Sequence, residues 1–191
     1  MASATQAPTI PAGTYLADPA HTTFGFAVKH LGIATVRGRF GDFDGRLEIG
    51  EDLAGARVSG TVRTASIDTG EPQRDEHLRS ADFFDAQANP ELTFESTSVR
   101  ALDAENYEIV GNLTMHGVTN PLTLNAEFLG TEVDPYGNDR VAFEITGKLE
   151  RSQWGMRFNA ALGSGNVVVS DTVKLAIDVS AIRQAADERA A

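Results

Sequence analysis

The chain has 191 residues, enough for one domain with a sizeable core. Its 41% hydrophobic and 23% charged residues are ordinary for a soluble globular protein. The formal charge of −11 argues against nucleic acid and, with no Lys/Arg-rich run to offset it, against anionic membrane surfaces. Cysteine is absent, which removes disulfides, thiolate metal sites and cysteine nucleophiles.

Residues 1–12, rich in Ala, Thr and Pro, read as a flexible leader. The leader has neither the basic nor the apolar region of a secretory signal, so the chain is expected to be cytoplasmic. No run approaches the ~18 apolar residues that span a membrane. A single domain is expected over 13–180, followed by a tail over 181–191 that is helix-prone but lacks an apolar stripe.

Period-two alternation dominates from there. Phe24, Phe26, Val28 and His30 share one parity in TFGFAVKH, and Val36, Gly38 and Phe40 share it in the next segment. Val58, Gly60 and Val62 follow. Residues 71–80 break the pattern: Pro72 suits a first helical turn, and Asp75 and Arg79 are spaced for an i,i+4 ion pair. A short helix is therefore predicted over about 72–80, with Phe83 and Phe84 tying its exit to the interior. Alternation resumes at Leu92 and Phe94, then at Tyr107, Ile109, Gly111, Leu113 and Met115. Leu122, Leu124, Ala126 and Phe128 come next, then Val141, Phe143, Ile145, Gly147 and Leu149. Val173, Leu175, Ile177 and Val179 close the series. Turns at DFDG, DAEN, NP and DPYGND separate most of these runs. About eight strands, each with one apolar face, specify an antiparallel barrel or sandwich.

Gly38, Gly60, Gly111 and Gly147 fall at the apolar parity, where a solid core would place bulk. They mark either bends of barrel closure or a lumen hollowed along its length. A hollow lumen lined by Phe24, Phe26, Phe40, Phe94, Leu113, Phe128 and Phe143 would hold a long apolar molecule, and eight strands leave room for one small ligand.

The four histidines, His21, His30, His77 and His116, form no metal motif, and no nucleophile elbow, P-loop or dinucleotide fingerprint is present. His30 ends an inward-facing run and offers a polar group at one end of a lumen. Trp154, in RSQWGMRF, plugs one end of the barrel, lines it, or packs in the core, the more frequent place for a lone Trp. No catalytic residues and no cofactor are assigned.

The succession DPAHTTFGFAVKHLGIATVRGRFGDFDG, SIDTG, RDEHLRSADFFDAQANPELTFES, GNLTMHGVTNPLTLNAEFLG and RSQWGM resembles the YceI-like family of lipocalin-like proteins, from about Tyr15 to Val179. The resemblance implies an extended eight-stranded antiparallel barrel with a short helix near its mouth. It also implies non-enzymatic binding, storage or transport of an isoprenoid lipid, either a polyprenyl pyrophosphate or an isoprenoid quinone. Many members are periplasmic. Under this reading RDEHLRSADFFD is a rim, with Phe83 and Phe84 reaching inward and Arg74, His77 and Arg79 placed for a polar head group. A homodimer is expected by analogy, without stable membrane insertion. Two other readings stay open: an enzyme using His30 or His77 as acid/base, and a structural module with a filled barrel.

Overall fold

Alternation of apolar and polar residues lays the chain down almost entirely as antiparallel sheet. The computed structural model describes residues 10–165 and 167–185. The strands are β1 (Gly13–Ala17), β2 (Thr23–His30), β3 (Ala34–Phe40), β4 (Phe43–Ile49), β5 (Arg57–Arg63) and β6 (Ile67–Asp68). After helix α1 (Pro72–Arg79) come β7 (Glu91–Ala101), β8 (Asn106–Met115), β9 (Val118–Val133), β10 (Asp139–Glu150) and β11 (Val169–Arg183).

Their order across the sheet is β1-β4-β5-β7-β8-β9-β10-β11-β2-β3-β6, and β1 also pairs with β11, which closes a barrel. β1 and β2 lie end to end along the same edge of β11, with Tyr15 opposite Arg183 and Phe26 opposite Leu175. They are one strand bent over 18–22. β3 and β4 are likewise one strand bent at 41–42. β5 and β6 are a third, broken by the 3-10 turn Thr64–Ser66. Three bent strands and five straight ones make the eight of the barrel.

β6 pairs with β3 over two residues only, which leaves an opening between β6 and β7. α1 and the turn after it fill that opening. Glu71 accepts from Gln73 N at the helix start, Pro72 occupies the first turn, and Ser80 N closes the last turn on His77 O. The ion pair expected between Asp75 and Arg79 does not form. Asp75 is buried and accepts from the Thr69 amide and hydroxyl, while Arg79 turns to the Ala65 and Ile67 carbonyls. Helix spacing allowed the pair, but the unmet donors of the turn before the helix claimed the carboxylate.

Inward residues of β8 and β9, among them Ile109, Leu113, Leu122 and Leu124, are buried, whereas Phe26, Val28, Phe94 and Leu175 point inward yet keep accessible surface; both sets border a void. At the upper end, β2 turns into β3, β8 into β9, and residues 151–168 cross between β10 and β11. At the lower end are the turns 102–105 and 134–138 and the 50–56 connection. Two boundaries shift from the sequence reading. Ile10, at the end of the presumed leader, is buried in the core, and β11 runs on to Arg183 because β1 supplies its last partners. Residues 1–9 and 186–191 lie outside the described residues.

Candidate functional site

The void consists of two apolar chambers sharing walls at Phe24, Val58, Ser59, Ile145 and Ile177. The upper has a volume of about 200 Å³ and the lower about 100 Å³. Together they follow β11 from Val169 to Ala181, roughly 40 Å of strand at ~3.3 Å per residue. The lower chamber ends on Leu53, Ala56, Tyr15 and Tyr107. Both tyrosine hydroxyls donate to backbone carbonyls, of Pro11 and Ala104, so their rings present only carbon to the void.

Of the candidate ligand residues, Phe24, Phe26, Val28, Phe40, Phe94 and Leu113 line the upper chamber, as do Gly60, Phe83 and Phe84; Phe143 lines the lower. Phe128 packs against Phe143, ring centroids 5.6 Å apart, on the side away from the void. Val36 faces Val28 across the β2–β3 hairpin, and His30 pairs with Val169 at its top; neither reaches the chambers.

Three of the four inward glycines do not border the void. A Cβ on Gly38 would collide with the Phe26 ring, one on Gly111 with the Phe94 ring, and one on Gly147 would meet Leu124 Cδ2 at 2.6 Å. Each neighbour is a cross-strand or diagonal partner, so the space is filled by an adjacent side chain. A ring seated over glycine lies against the wall instead of across the lumen, and in that indirect way these glycines keep it clear. Gly60 alone borders the void, with only the Asp44 carbonyl within 4 Å of where its Cβ would stand, at 3.5 Å.

Trp154 is a plug. It is 1% exposed, and its indole N–H donates to the Leu113 carbonyl at 2.9 Å, which pins the 3-10 turn Arg151–Trp154 over the end of β8. The rim residues also hold structure. Arg74 binds Thr69 through its hydroxyl and carbonyl, and Arg79 binds the carbonyls of Ala65 and Ile67. His77 Nε2 meets Asp82 at 2.9 Å, and its ring stands edge-on to Phe83 and Phe158.

The buried cation that lines the upper chamber is Arg151, which sequence reasoning passed over; Arg46, paired with Glu48, borders the lower one. The signal for Arg151 was parity: Ile145, Gly147, Leu149 and Arg151 alternate inward along β10. Arg151 is 5% exposed, lines the upper chamber, and lies 5.8 Å from the Phe83 ring centroid. Its guanidinium donates to the carbonyls of Met156 and Phe158, on the segment that crosses the upper end, and of Val169 and Ser170, at the start of β11. Among the described residues, no carboxylate is bonded to it. Burial pushes its pKa down from the ordinary arginine value, and Asp171 nearby partly offsets that. Asp171 itself accepts from the Ser152 amide and hydroxyl. A fixed positive charge thus stands at one end of a carbon-lined tunnel, suited to the polar end of an amphiphile. Among the described residues, no three His, Cys, Asp or Glu side chains converge to hold a metal ion, and no helix is long and apolar enough to cross a membrane.

The YceI-like domain matches residues 15–181. A UPF0312 protein of Pseudomonas paraeruginosa is 41% identical over 165 residues, covering 86% of this chain and 83% of the relative. Among solved structures, Burkholderia cenocepacia BcnA superposes with a TM-score of 0.73 at 20% identity, over 86% of this chain and 98% of that one. A polyisoprenoid binding domain from Saccharophagus degradans, implicated in plant cell wall breakdown, gives a TM-score of 0.64 at 15% identity, over 91% of this chain and 100% of that one. These two structures share the lipocalin-like barrel.

Proposed function

The chain belongs to the YceI-like family, and we propose that its barrel is a non-enzymatic carrier for one isoprenoid lipid, with the tail in the two chambers and the polar end beside Arg151. The observation that carries this reading is the elongated, almost wholly carbon-lined void with a single buried cation at its upper end. Leaving such a space empty is costly. At ~24 cal/mol per Å³, the upper chamber alone would cost about 5 kcal/mol, a large share of a typical domain stability of ~5–15 kcal/mol. A slender chain in van der Waals contact with Phe26, Phe94 and Leu175 recovers that loss. The name of the Saccharophagus degradans neighbour supports an isoprenoid over a straight acyl chain. A quinone carbonyl or a pyrophosphate oxygen is an acceptor that the guanidinium can meet.

Organic extraction of protein purified from its own host, followed by mass spectrometry, is expected to release a prenyl lipid in near-stoichiometric amount. An empty barrel in repeated preparations, or straight-chain fatty acids alone, would overturn the isoprenoid assignment.

A further inference from the structure

The chain's three lysines, in a protein of net charge −11, meet on one outer face. On the barrel exterior Lys148 is directly opposite Lys174, Lys174 is opposite Ala27, and Ala27 is opposite Arg37, which forms one transverse row over β10, β11, β2 and β3. Lys29, two residues further up β2, reaches Thr35 Oγ1 at 2.9 Å. Like charges directly opposed in a sheet are destabilising. Among the described residues, Lys29, Arg37, Lys148, Lys174 and Arg157 have no carboxylate within ion-pair distance, nor do Arg57, Arg74, Arg79 and Arg151 elsewhere, whereas Arg39, Arg46, Arg63, Arg100, Arg140 and Arg183 each have at least one. Acids are sparse near this row. Glu150, which accepts from the Thr172 hydroxyl, lies two residues above Lys148 on the same outer face, and Glu144 and Asp178 lie four residues below the two lysines. The chain has 27 Asp and Glu, yet none between Asp18 and Asp42 and none between Glu150 and Asp171.

Directly above the basic row are two upper-end hairpins with exposed apolar residues: Ile33, 79% exposed, in the 31–33 turn, and Val167, 41% exposed, where it bridges Ala161 below the 163–165 tip. Phe158, 36% exposed, packs against His77 and Phe83. The Leu31 amide donates to the Val168 carbonyl, so the two hairpins stand side by side. From Ala27 to the 31–33 turn is about five residues, or ~17 Å of strand. Exposed apolar residues bordered by unpaired cations, next to the upper chamber, form an amphipathic edge that matches a lipid headgroup boundary.

We infer that this edge docks on an anionic lipid bilayer, with Ile33 and Val167 in the interface and Lys29, Arg37, Lys148, Lys174 and Arg157 on the headgroups. The exposed acids of the α1 side, Glu71, Glu76 and Asp82, border the opposite side of the mouth, so the barrel docks edgewise and not end-on. Docking gives the carrier's cargo a dry route between bilayer and barrel, and that purpose rests on the lipid-carrier reading; the docking itself does not. A second copy is a poorer occupant. Nothing acidic lies within the row to pair with its own image, and contact with the acidic remainder of another molecule would be head-to-tail and leave an open chain.

Flotation of the full-length protein with phosphatidylcholine vesicles, with and without about a third phosphatidylglycerol, tests the inference. Binding is expected only to the anionic vesicles and is expected to weaken with added salt. Each single change, Arg37→Ser, Lys148→Ser or Lys174→Ser, is expected to reduce it about fivefold. Ile33→Asp is expected to abolish it while the melting temperature is kept. Equal binding to neutral vesicles, absence of binding, or unchanged binding by Lys148→Glu/Lys174→Glu would overturn it. So would light scattering that shows a dimer which the same double variant dissolves. Lipid extraction of each variant reports the cargo separately, so an empty barrel that still floats would refute the carrier and leave the docking edge.

Discussion

The two ends of the barrel are closed by different means. At the lower end the 102–105 and 134–138 turns are each tied by an aspartate near their start. Asp103 accepts from the Glu105 and Asn106 amides, and Asp134 accepts from those of Tyr136 and Asn138 while also holding Arg140, which reaches across to Asp18. Beneath these turns Ile10, Leu53 and Ala56 are buried. At the upper end two long excursions, 69–90 and 151–168, meet over the lumen. They are held by Arg151 on four carbonyls and by the ring cluster of His77, Phe83 and Phe158. Local hydrogen bonds close each lower turn on itself. At the upper end 69–90 is also bonded internally, as from Phe84 N to Leu78 O and from Asn89 N to Asp85 O, but long side chains are what hold 151–168 across the lumen. Segments with few local bonds open at the lowest cost. The upper end is therefore expected to open first, as the door of the barrel.

The largest test removes the plug of that door. Trp154→Ala deletes a fully buried ring and its bond to the Leu113 carbonyl, and a stability loss of about 4 kcal/mol is expected from urea unfolding. Hydrogen exchange should rise first over 151–168 and remain slow in the 102–105 and 134–138 turns. Equal acceleration at both ends would mean that the barrel unfolds as one unit, and the contrast between the ends would fail. Arg151→Met is milder, about 2 kcal/mol, since it strips four carbonyls of a charged donor but also relieves a buried charge. Its clearer reading is faster loss of lipid. Arg151→Lys should not rescue retention, because an ammonium cannot span carbonyls on both flanks of the segment.

Parity made the barrel legible, since one apolar face per strand is what a closed antiparallel sheet requires, and the α1 region stood out because it broke that period. The glycines were harder. Parity shows that Gly38 faces inward but not who occupies the space above it; the register supplies that. With a tight turn at 31–33, Val28 falls opposite Val36 and Phe26 opposite Gly38, so the ring over the glycine follows from the hairpin. Arg74, His77 and Arg79 were singled out because they cluster in sequence, yet two of them brace the backbone and the third joins a ring cluster. Arg151 was missed because a lone inward charge at the end of a strand reads as the strand's end. The basic edge was missed for another reason. Net charge averages over the surface, and the lysines converge only once β10, β11 and β2 are neighbours.

A smaller effect separates the glycine that borders the void from those that seat a ring. Gly60→Val places its side chain in open lumen, and about 1 kcal/mol of added stability is expected in the lipid-free protein, with reduced lipid capacity on extraction. Gly111→Ala should do the reverse, because its Cβ meets the Glu95 carbonyl at 2.5 Å as well as the Phe94 ring, and backbone yields less readily than a side chain. Destabilisation by both would show that the lumen near Gly60 is already filled.

The smallest effect at neutral pH concerns the lower end, and it grows on acidification. Hydrogen bonds from Arg140 and His21 hold the Asp18 carboxyl down to about 2 from its ordinary 3.8, and Asn138 with Arg140 lowers Asp134 as well. A carboxyl whose pKa is depressed by folding contributes stability that is complete above its unfolded value and lost as pH falls through the folded one. The window for Asp18 is therefore from about pH 4 down to about pH 2. Across it the melting temperature of the wild type should fall more steeply than that of Asp18→Asn, and the two curves should run parallel above pH 5. The 134–138 turn should lose exchange protection within the same window, before residues 151–168 do. Arg151 is held by carbonyls that do not titrate, so acid should loosen the sealed end and leave the door shut. Parallel loss at both ends would show that the ion triad of Asp18, Arg140 and Asp134 stabilises the barrel globally and does not act on the lower closure alone.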